Sequence, residues 1–261
     1  MTSHDETINY GNWMPKKFLL IGGLLSVTFL FLSIFVEVWW LRLILIGLTG
    51  FCSFFFAGAC SAYHAFSPRG KDLQNQIHDA LLENFPWDGN GTCLEIGCGN
   101  APISIKIAKK FPQAKVIASD YWGETYFEYD QQQAQINAKL ENVLDQVEFK
   151  NINAARLPFQ DEELDAIISN LTFHEVKDFK MREKHKGLIE AFRVLKKGGT
   201  FAFQDIFGSK SIYGDFKKLK GILEKHIDEL HWIDAFALLN LPKWLDNILM
   251  LKGLGIFYGI K

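Results

Sequence analysis

The sequence predicts an α/β fold: a mostly parallel, doubly wound sheet with helices on both faces, preceded by an N-terminal two-helix transmembrane hairpin. Three observations carry that expectation. Between Phe18 and Tyr63 the only charged residues are Glu37 and Arg42. Beyond residue 91, short apolar runs alternate with amphipathic stretches, the pattern of strands joined by covering helices. One such run, Thr92–Ile96, passes directly into a glycine pair, Gly97 and Gly99, where a helix begins.

The hairpin follows from length and charge. Phe18–Val36 and Leu43–Tyr63 carry no charge, and each is long enough as a helix to cross a hydrocarbon core of about 30 Å. Glu37–Arg42, with Trp39 and Trp40, reads as the turn at the far interface. Lys16 and Lys17 precede the first helix, and Arg69 and Lys71 follow the second. By the positive-inside rule both ends lie in the cytoplasm, so the chain is expected to be a two-helix membrane protein with a cytoplasmic globular domain. A signal peptide fits poorly, because 17 residues including Asp5 and Glu6 come first. The expected division is a tail (1–17), a hairpin (18–63) and a globular domain (64–261).

Composition narrows the function. The 261 residues hold 28 Lys+Arg against 30 Asp+Glu, a net charge of −2, which lacks the basic excess of a nucleic-acid binder. An apolar share of 48% excludes a disordered chain. Cys52, Cys60, Cys93 and Cys98 form no CxxC pair, so free thiols and no metal are expected.

In the globular part, Ser67-Pro68-Arg69-Gly70 is a breaker cluster. Lys71–Glu83 reads as a helix, Thr92–Ile96 as a strand, Ala101–Lys110 as a helix and Lys115–Ser119 as a strand. Thr125–Glu141 reads as a helix, Val147–Asn151 and Leu164–Ser169 as strands, Arg182–Leu195 as a helix and Thr200–Gln204 as a strand. Tyr213–Lys225 is a helix candidate and His231–Ala235 a strand candidate. An apolar stripe from Leu241 to Leu249 has helical spacing, and Gly253–Ile260 closes as a strand.

The chemistry concentrates at Glu95-Ile96-Gly97-Cys98-Gly99-Asn100-Ala101. A strand ending in glycines presents backbone N–H groups to a polar ligand at the carboxyl edge of the sheet. Asp120, at the end of the second strand, suits the two hydroxyls of a ribose. Dinucleotides and S-adenosylmethionine both fit so far. A dinucleotide fingerprint needs a third glycine at position 102, which is Pro102. Glu95, two residues before the first glycine, suits a cationic ligand, and the pattern favours S-adenosyl-L-methionine as cofactor.

Glu95–Gly99 resembles motif I of the class I S-adenosylmethionine-dependent methyltransferases. Asp120 falls at that family's second-strand acid. Ala154–Phe159, Leu164–Asn170 and Arg193–Gly199 resemble its later blocks, as found in the ubiquinone/menaquinone methyltransferase-like branch. Asp120-Tyr121-Trp122 and Phe173-His174-Glu175-Val176 are similar to a membrane-anchored bacterial subgroup. The resemblance covers about residues 71–261. It implies a Rossmann-like seven-stranded methyltransferase sheet whose seventh strand, in Gly253–Ile260, runs antiparallel. It also implies cofactor contacts from Glu95, Gly97, Cys98, Gly99, Asp120, Tyr121, Trp122, Asn153, Ala154 and Asn170. Two positions depart from the family: Ala101 replaces a third glycine, and Asn153 replaces an acid whose role its amide oxygen can take toward adenine.

Asn170–Glu175 follows the fourth strand, where the methyl group is expected to point. His174 is the general-base candidate because imidazole titrates near neutrality, and Glu175 orients it or acts itself. His78 is expected on a solvated helical face. The hairpin points to a hydrophobic small-molecule or lipid acceptor reached from the bilayer. The other readings are a protein methyltransferase recruited to a membrane partner and a catalytically silent cofactor-binding module.

Overall fold

A computed structural model describes residues 7–122, 129–241 and 251–261. The described chain divides into two compact units: residues 11–76, and residues 7–10 together with 77–122, 129–241 and 251–261.

The first unit is built on two helices, α1 (Lys16–Phe35) and α2 (Trp39–Phe66). Both are long and apolar enough to cross a membrane. Their side chains largely face outward: Leu20 is 73% and Phe54 77% exposed, and among the described residues little covers them. The helices meet where Gly22 and Gly23 admit the Phe56 side chain; a Cβ on either glycine would sit 3.3–3.4 Å from it. Ser26, Thr49 and Ser61 spend their hydroxyls on carbonyls four residues back, which leaves little polar surface on the helices.

The link between the helices is shorter than the sequence suggests, because Trp39–Arg42 is already helical. Arg42 explains this. Its Nε donates to Ser33 O (3.0 Å) and its Nη2 to Ile34 O (3.1 Å), satisfying carbonyls at the end of α1 that no further helical turn would reach.

The second unit is a seven-stranded sheet in the order β3-β2-β1-β4-β5-β7-β6. Its strands are β1 (Thr92–Ile96), β2 (Lys115–Asp120), β3 (Val147–Asn151), β4 (Leu164–Asn170), β5 (Leu195–Asp205), β6 (Glu229–Asp234) and β7 (Gly255–Ile260). β1 to β5 pair in parallel, whereas β7 runs antiparallel to β5 and β6, as expected for the closing strand. The interspersed helices are α3 (Leu73–Glu83), which begins in the other unit, α4 (Pro102–Lys110), α5 (Gln131–Leu140), α6 (His185–Val194), α7 (Phe216–Leu223) and α8 (Ala235–Leu238). The strand order reverses between β1 and β4, so the carboxyl ends of β1, β2 and β4 border a crevice, the usual ligand position in such sheets.

An aromatic core holds β5 beside β4. Phe192 of α6 packs on Phe201 at 4.9 Å between ring centroids, and Phe173 packs on Phe203 at 5.3 Å. All four rings are fully buried. Burying a side chain of this size contributes about 2–3 kcal/mol, so these rings are strong constraints on where the neighbouring polar residues lie.

Several predicted boundaries shift. α5 starts only at Gln131, because Asp130 is extended and caps it by accepting the Gln133 N–H (3.0 Å). β5 begins at Leu195, directly after α6, and runs one residue past Gln204 to Asp205. Residues 125–128 of the predicted helix, and residues 242–249 of the Leu241–Leu249 stripe, lie outside the described residues.

Candidate active site at the sheet's carboxyl edge

The turn after β1 needs three left-handed residues: Gly97 (φ 78°), Gly99 (φ 53°) and Ala101 (φ 62°). A Cβ on Gly97 would come within 1.9 Å of Thr172 Oγ1, so only glycine fits there. Ala101 takes the same backbone region at a cost of about 1 kcal/mol relative to glycine. Pro102 then opens α4 at a position where no backbone donor is needed.

The turn's N–H groups are spent internally. Gly97 and Cys98 donate to Ser119 O (2.7 and 2.9 Å), Ala101 donates to Cys98 O (2.7 Å), and Gly99 donates to Asp120 Oδ2 (2.7 Å). The expectation that this loop offers N–H donors to a ligand is therefore corrected for these four residues: buried backbone donors are paired within the fold. What the loop provides is a close-approaching backbone surface. Trp122 lies against it, its Nε1–H donating to Gly99 O at 3.0 Å. Tyr121 is half exposed, and its backbone N–H joins Gly99 in bonding Asp120.

Glu95 is turned inward. It is 1% exposed, and its Oε2 accepts the Ser104 N–H at 2.8 Å and the Ser104 hydroxyl, capping the first turn of α4 from the neighbouring strand. Burial pushes its carboxyl up to about 7 against the downward pull of the Ser104 bonds, with the Asp120 charge adding to the rise. Asp120 is raised too, by burial, despite the Gly99 and Tyr121 N–H bonds. Burial holds the Cys98 thiol protonated, so it is an inert wall of the loop.

Asn153 does not present a free amide. Its Oδ1 accepts the Ala155 N–H (2.8 Å) in a local turn, and its Nδ2 donates to Asp178 Oδ2 (2.9 Å). Ala154 is partly buried against the core. Asn170, by contrast, has a buried Oδ1 with no partner among the described residues. An orphaned acceptor and a glycine-lined loop on the crevice, with Asp120 on the adjacent strand end, fit an adenosine-containing amino-acid cofactor.

The opposite side of the crevice holds a charged constellation. Phe173, locked in the core, sets His174 beside the end of β5. There His174 Nδ1 lies 2.8 Å from Asp205 Oδ1, and its backbone N–H donates to Asp205 Oδ2 at 3.2 Å. Asp205 is fully buried and also accepts the Ile206 N–H at 2.7 Å. His174 Nε2 lies 3.3 Å from Glu175 Oε1, whose side chain is 62% exposed. Burial opposes charge on the imidazole, but Asp205 and Glu175 outweigh it and push His174 up to about 10. An imidazole titrating near neutrality, expected of a general base, is thus replaced by an imidazolium. Its Nε2–H faces the Glu175 carboxylate, and that pairing holds Glu175 below the usual carboxylate range. Lys184, buried, donates to Val176 O below this group.

His78 is 3% exposed rather than solvated, and burial, then the Lys106 charge, hold it neutral with a pKa lowered to about 3. Among the described residues no His/Cys/Asp/Glu group could hold a metal ion. Sequence reasoning missed Asp205; an acid directly past the end of a predicted strand was its only signal.

Residues 94–203 match a family model described as a methyltransferase domain. The match and the methyltransferase relatives support an S-adenosylmethionine-dependent methyltransferase activity for this stretch. A ribosomal RNA large subunit methyltransferase G from Vibrio vulnificus is 29% identical over 167 residues, 62% of this chain and 42% of that protein. An uncharacterised Haemophilus influenzae protein is 28% identical over 141 residues, 53% of this chain and 50% of its own. The chain thus spans half or less of these relatives' length. Among solved structures, a Nostoc punctiforme protein assigned as an O-methyltransferase gives a TM-score of 0.52 at 11% identity, covering 72% of this chain and 57% of its own. The 4+2 cyclase SpnF gives 0.51 at 16% identity, covering 72% and 81%. Such likeness shows the fold alone, and a cyclase among its bearers illustrates why the chemistry must be argued from the site.

Proposed function

We propose that the chain is a membrane-anchored methyltransferase that transfers the methyl group of S-adenosylmethionine to a hydrophobic small-molecule or lipid-type acceptor at the cytoplasmic face. Residues 18–63 are the anchor and 64–261 the catalytic domain, in the ubiquinone/menaquinone methyltransferase-like branch. The single observation carrying this reading is that a match to a methyltransferase domain shares its chain with two long helices whose apolar side chains are mostly exposed among the described residues. An acceptor dissolved in the bilayer gives such an anchor a purpose, since it confines enzyme and acceptor to one surface.

When bound, S-adenosylmethionine supplies an electrophilic methyl carbon next to a sulfonium. The residues around it position and orient. Asp120 holds the ribose hydroxyls, the Gly97–Gly99 turn gives close approach, and Trp122 packs over the loop. Asn170 Oδ1 accepts a hydrogen bond from the donor. On the acceptor side His174, fixed by Asp205, holds Glu175 through Nε2–H, and the exposed Glu175 carboxylate takes a proton where the acceptor carries one. In-line positioning of two reactants is worth about 7–11 kcal/mol, so geometry rather than a strong base bears most of the rate.

A second reading is favoured by the Vibrio relative: an RNA acceptor. The near-neutral charge counts against it, because phosphate contacts dominate RNA affinity. The test uses full-length protein in nanodiscs with methyl-labelled S-adenosylmethionine and total membrane extract, protein and RNA from the same cells. Label in the organic phase that Asp120→Ala abolishes is the expected result. Label confined to RNA or protein would replace the lipid reading with one of the others.

A further inference from the structure

The donor loop leans on a segment far from it in sequence. Asn137 of α5, fully buried, takes the backbone of Asn9 at both groups: Asn9 N–H donates to Asn137 Oδ1 (2.8 Å), and Asn137 Nδ2 donates to Asn9 O (2.9 Å). The same Asn137 Nδ2 donates to Asn100 O at 2.9 Å. Asn100, also fully buried, follows Gly99 directly. Its Nδ2 donates to Asn9 O (2.9 Å), and its Oδ1 accepts the Asp130 N–H (3.2 Å). Around this knot Gln133 Nε2 donates to Thr7 O (3.0 Å), and the Tyr10 hydroxyl donates to Glu141 Oε1 (2.9 Å).

Each contact has a chemical reason. A side-chain amide carries a donor and an acceptor in the spacing of a peptide group, so Asn137 pairs with Asn9 as a neighbouring strand would. Buried amides are costly when unpaired, so without Asn9 both Asn100 and Asn137 would lose a partner directly behind the glycine turn. Gly11, at φ 77°, then redirects the chain. In the other unit Asn12 Nδ2 donates to Tyr63 O (3.0 Å), and the Trp13 ring packs on Phe66 at 5.4 Å. The Asn9 backbone is therefore tied directly behind the donor loop.

We propose that Thr7–Tyr10 is a positioning strap for the methyl-donor site: it locks Asn100, and through it the Gly97–Gly99 turn, in the shape that binds S-adenosylmethionine. Donor affinity then depends on the segment that leads into the first apolar helix. The proposal rests on the methyltransferase reading of the loop and adds Asn9, Asn100 and Asn137 as its supports.

The test is calorimetric titration of full-length protein in nanodiscs with S-adenosylhomocysteine. Asn137→Leu and, as a variant that leaves the buried asparagines intact, deletion of residues 1–10 are each expected to weaken binding about tenfold, the effect of losing two buried hydrogen bonds. Tyr10→Phe, at the edge of the strap, weakens it about twofold or less. Coupling is reciprocal, so S-adenosylhomocysteine slows amide hydrogen exchange at residues 7–10 in the wild type. A folded deletion variant that binds with wild-type affinity, or strap amides whose exchange ignores the ligand, overturns the strap while leaving the donor site standing. Wild-type protein that fails to bind S-adenosylhomocysteine would remove the donor site and the strap together.

Discussion

The two sides of the crevice treat charge in opposite ways. On the donor side, around β1 and β2, the acids Glu95 and Asp120 are both shifted upward by burial and are bonded to neighbouring N–H groups. On the acceptor side, past β4 and β5, His174 sits between Asp205 and Glu175 and keeps its proton well above neutrality. The edge at β1 and β2 is a backbone surface whose described N–H groups are paired internally. The acceptor edge is a charged lever fixed on an aromatic core. In the proposed roles, binding and orientation come from different physics within one sheet.

The sharpest way to break that contrast is Asp205→Asn. Without the carboxylate only Glu175 opposes burial at His174, and its titration, followed by histidine NMR, is expected to fall well below about 10. The sign follows from linkage. A raised histidine pKa stabilises the fold fully below 6.5 and loses that contribution as pH rises through about 10, so the variant also loses stability at neutral pH. An unchanged titration would mean that Asp205 does not hold the imidazolium.

Next in size, Asp120→Ala should weaken S-adenosylhomocysteine binding about a hundredfold, since hydrogen bonds to a charged group are worth about 1.5–3 kcal/mol. Calorimetry that shows less than a tenfold loss would separate Asp120 from the donor.

Glu95 gives an effect of similar order on stability. Its carboxyl is raised from 4.5 to about 7 by burial, so the folded state holds the proton more tightly than the unfolded one. Stability therefore falls as pH rises from 4.5 through about 7, by on the order of 3 kcal/mol, and Glu95→Gln flattens the slope. Thermal unfolding across that range checks it.

The smallest effect is at Ala101. Replacing it by glycine removes the left-handed penalty and should raise stability by about 1 kcal/mol, visible as a small rise in Tm.

Legibility followed sequence distance and locality. Gly97, Gly99 and Asp120 could be read because a strand end, a turn and the next strand end lie within one short stretch. The hairpin could be read because its charge-free span needs no partner to be noticed. Its turn was read too long, since Arg42 looked like an interfacial charge and instead pairs with the Ser33 and Ile34 carbonyls. Asp205 was hidden because its meaning depends on His174, 31 positions earlier, and on Phe173 and Phe203 packing the two segments together. Asn9 and Asn137 lie 128 positions apart, and asparagines read singly suggest turns rather than a buried knot. Asn153 was assigned to the adenine on resemblance, yet its amide closes a turn with Ala155 and reaches Asp178.

The central claim, a methyltransferase working on an acceptor of its own bilayer, has a direct test. Full-length protein is reconstituted either into vesicles made from total membrane lipid or into inert lipid vesicles that are then mixed with separate vesicles of the same membrane lipid, with methyl-labelled S-adenosylmethionine outside. The account predicts label in the organic phase when enzyme and acceptor share a bilayer, and little when they are apart. Equal labelling in the two arrangements, or none in either while RNA or protein from the same cells becomes labelled, would contradict it.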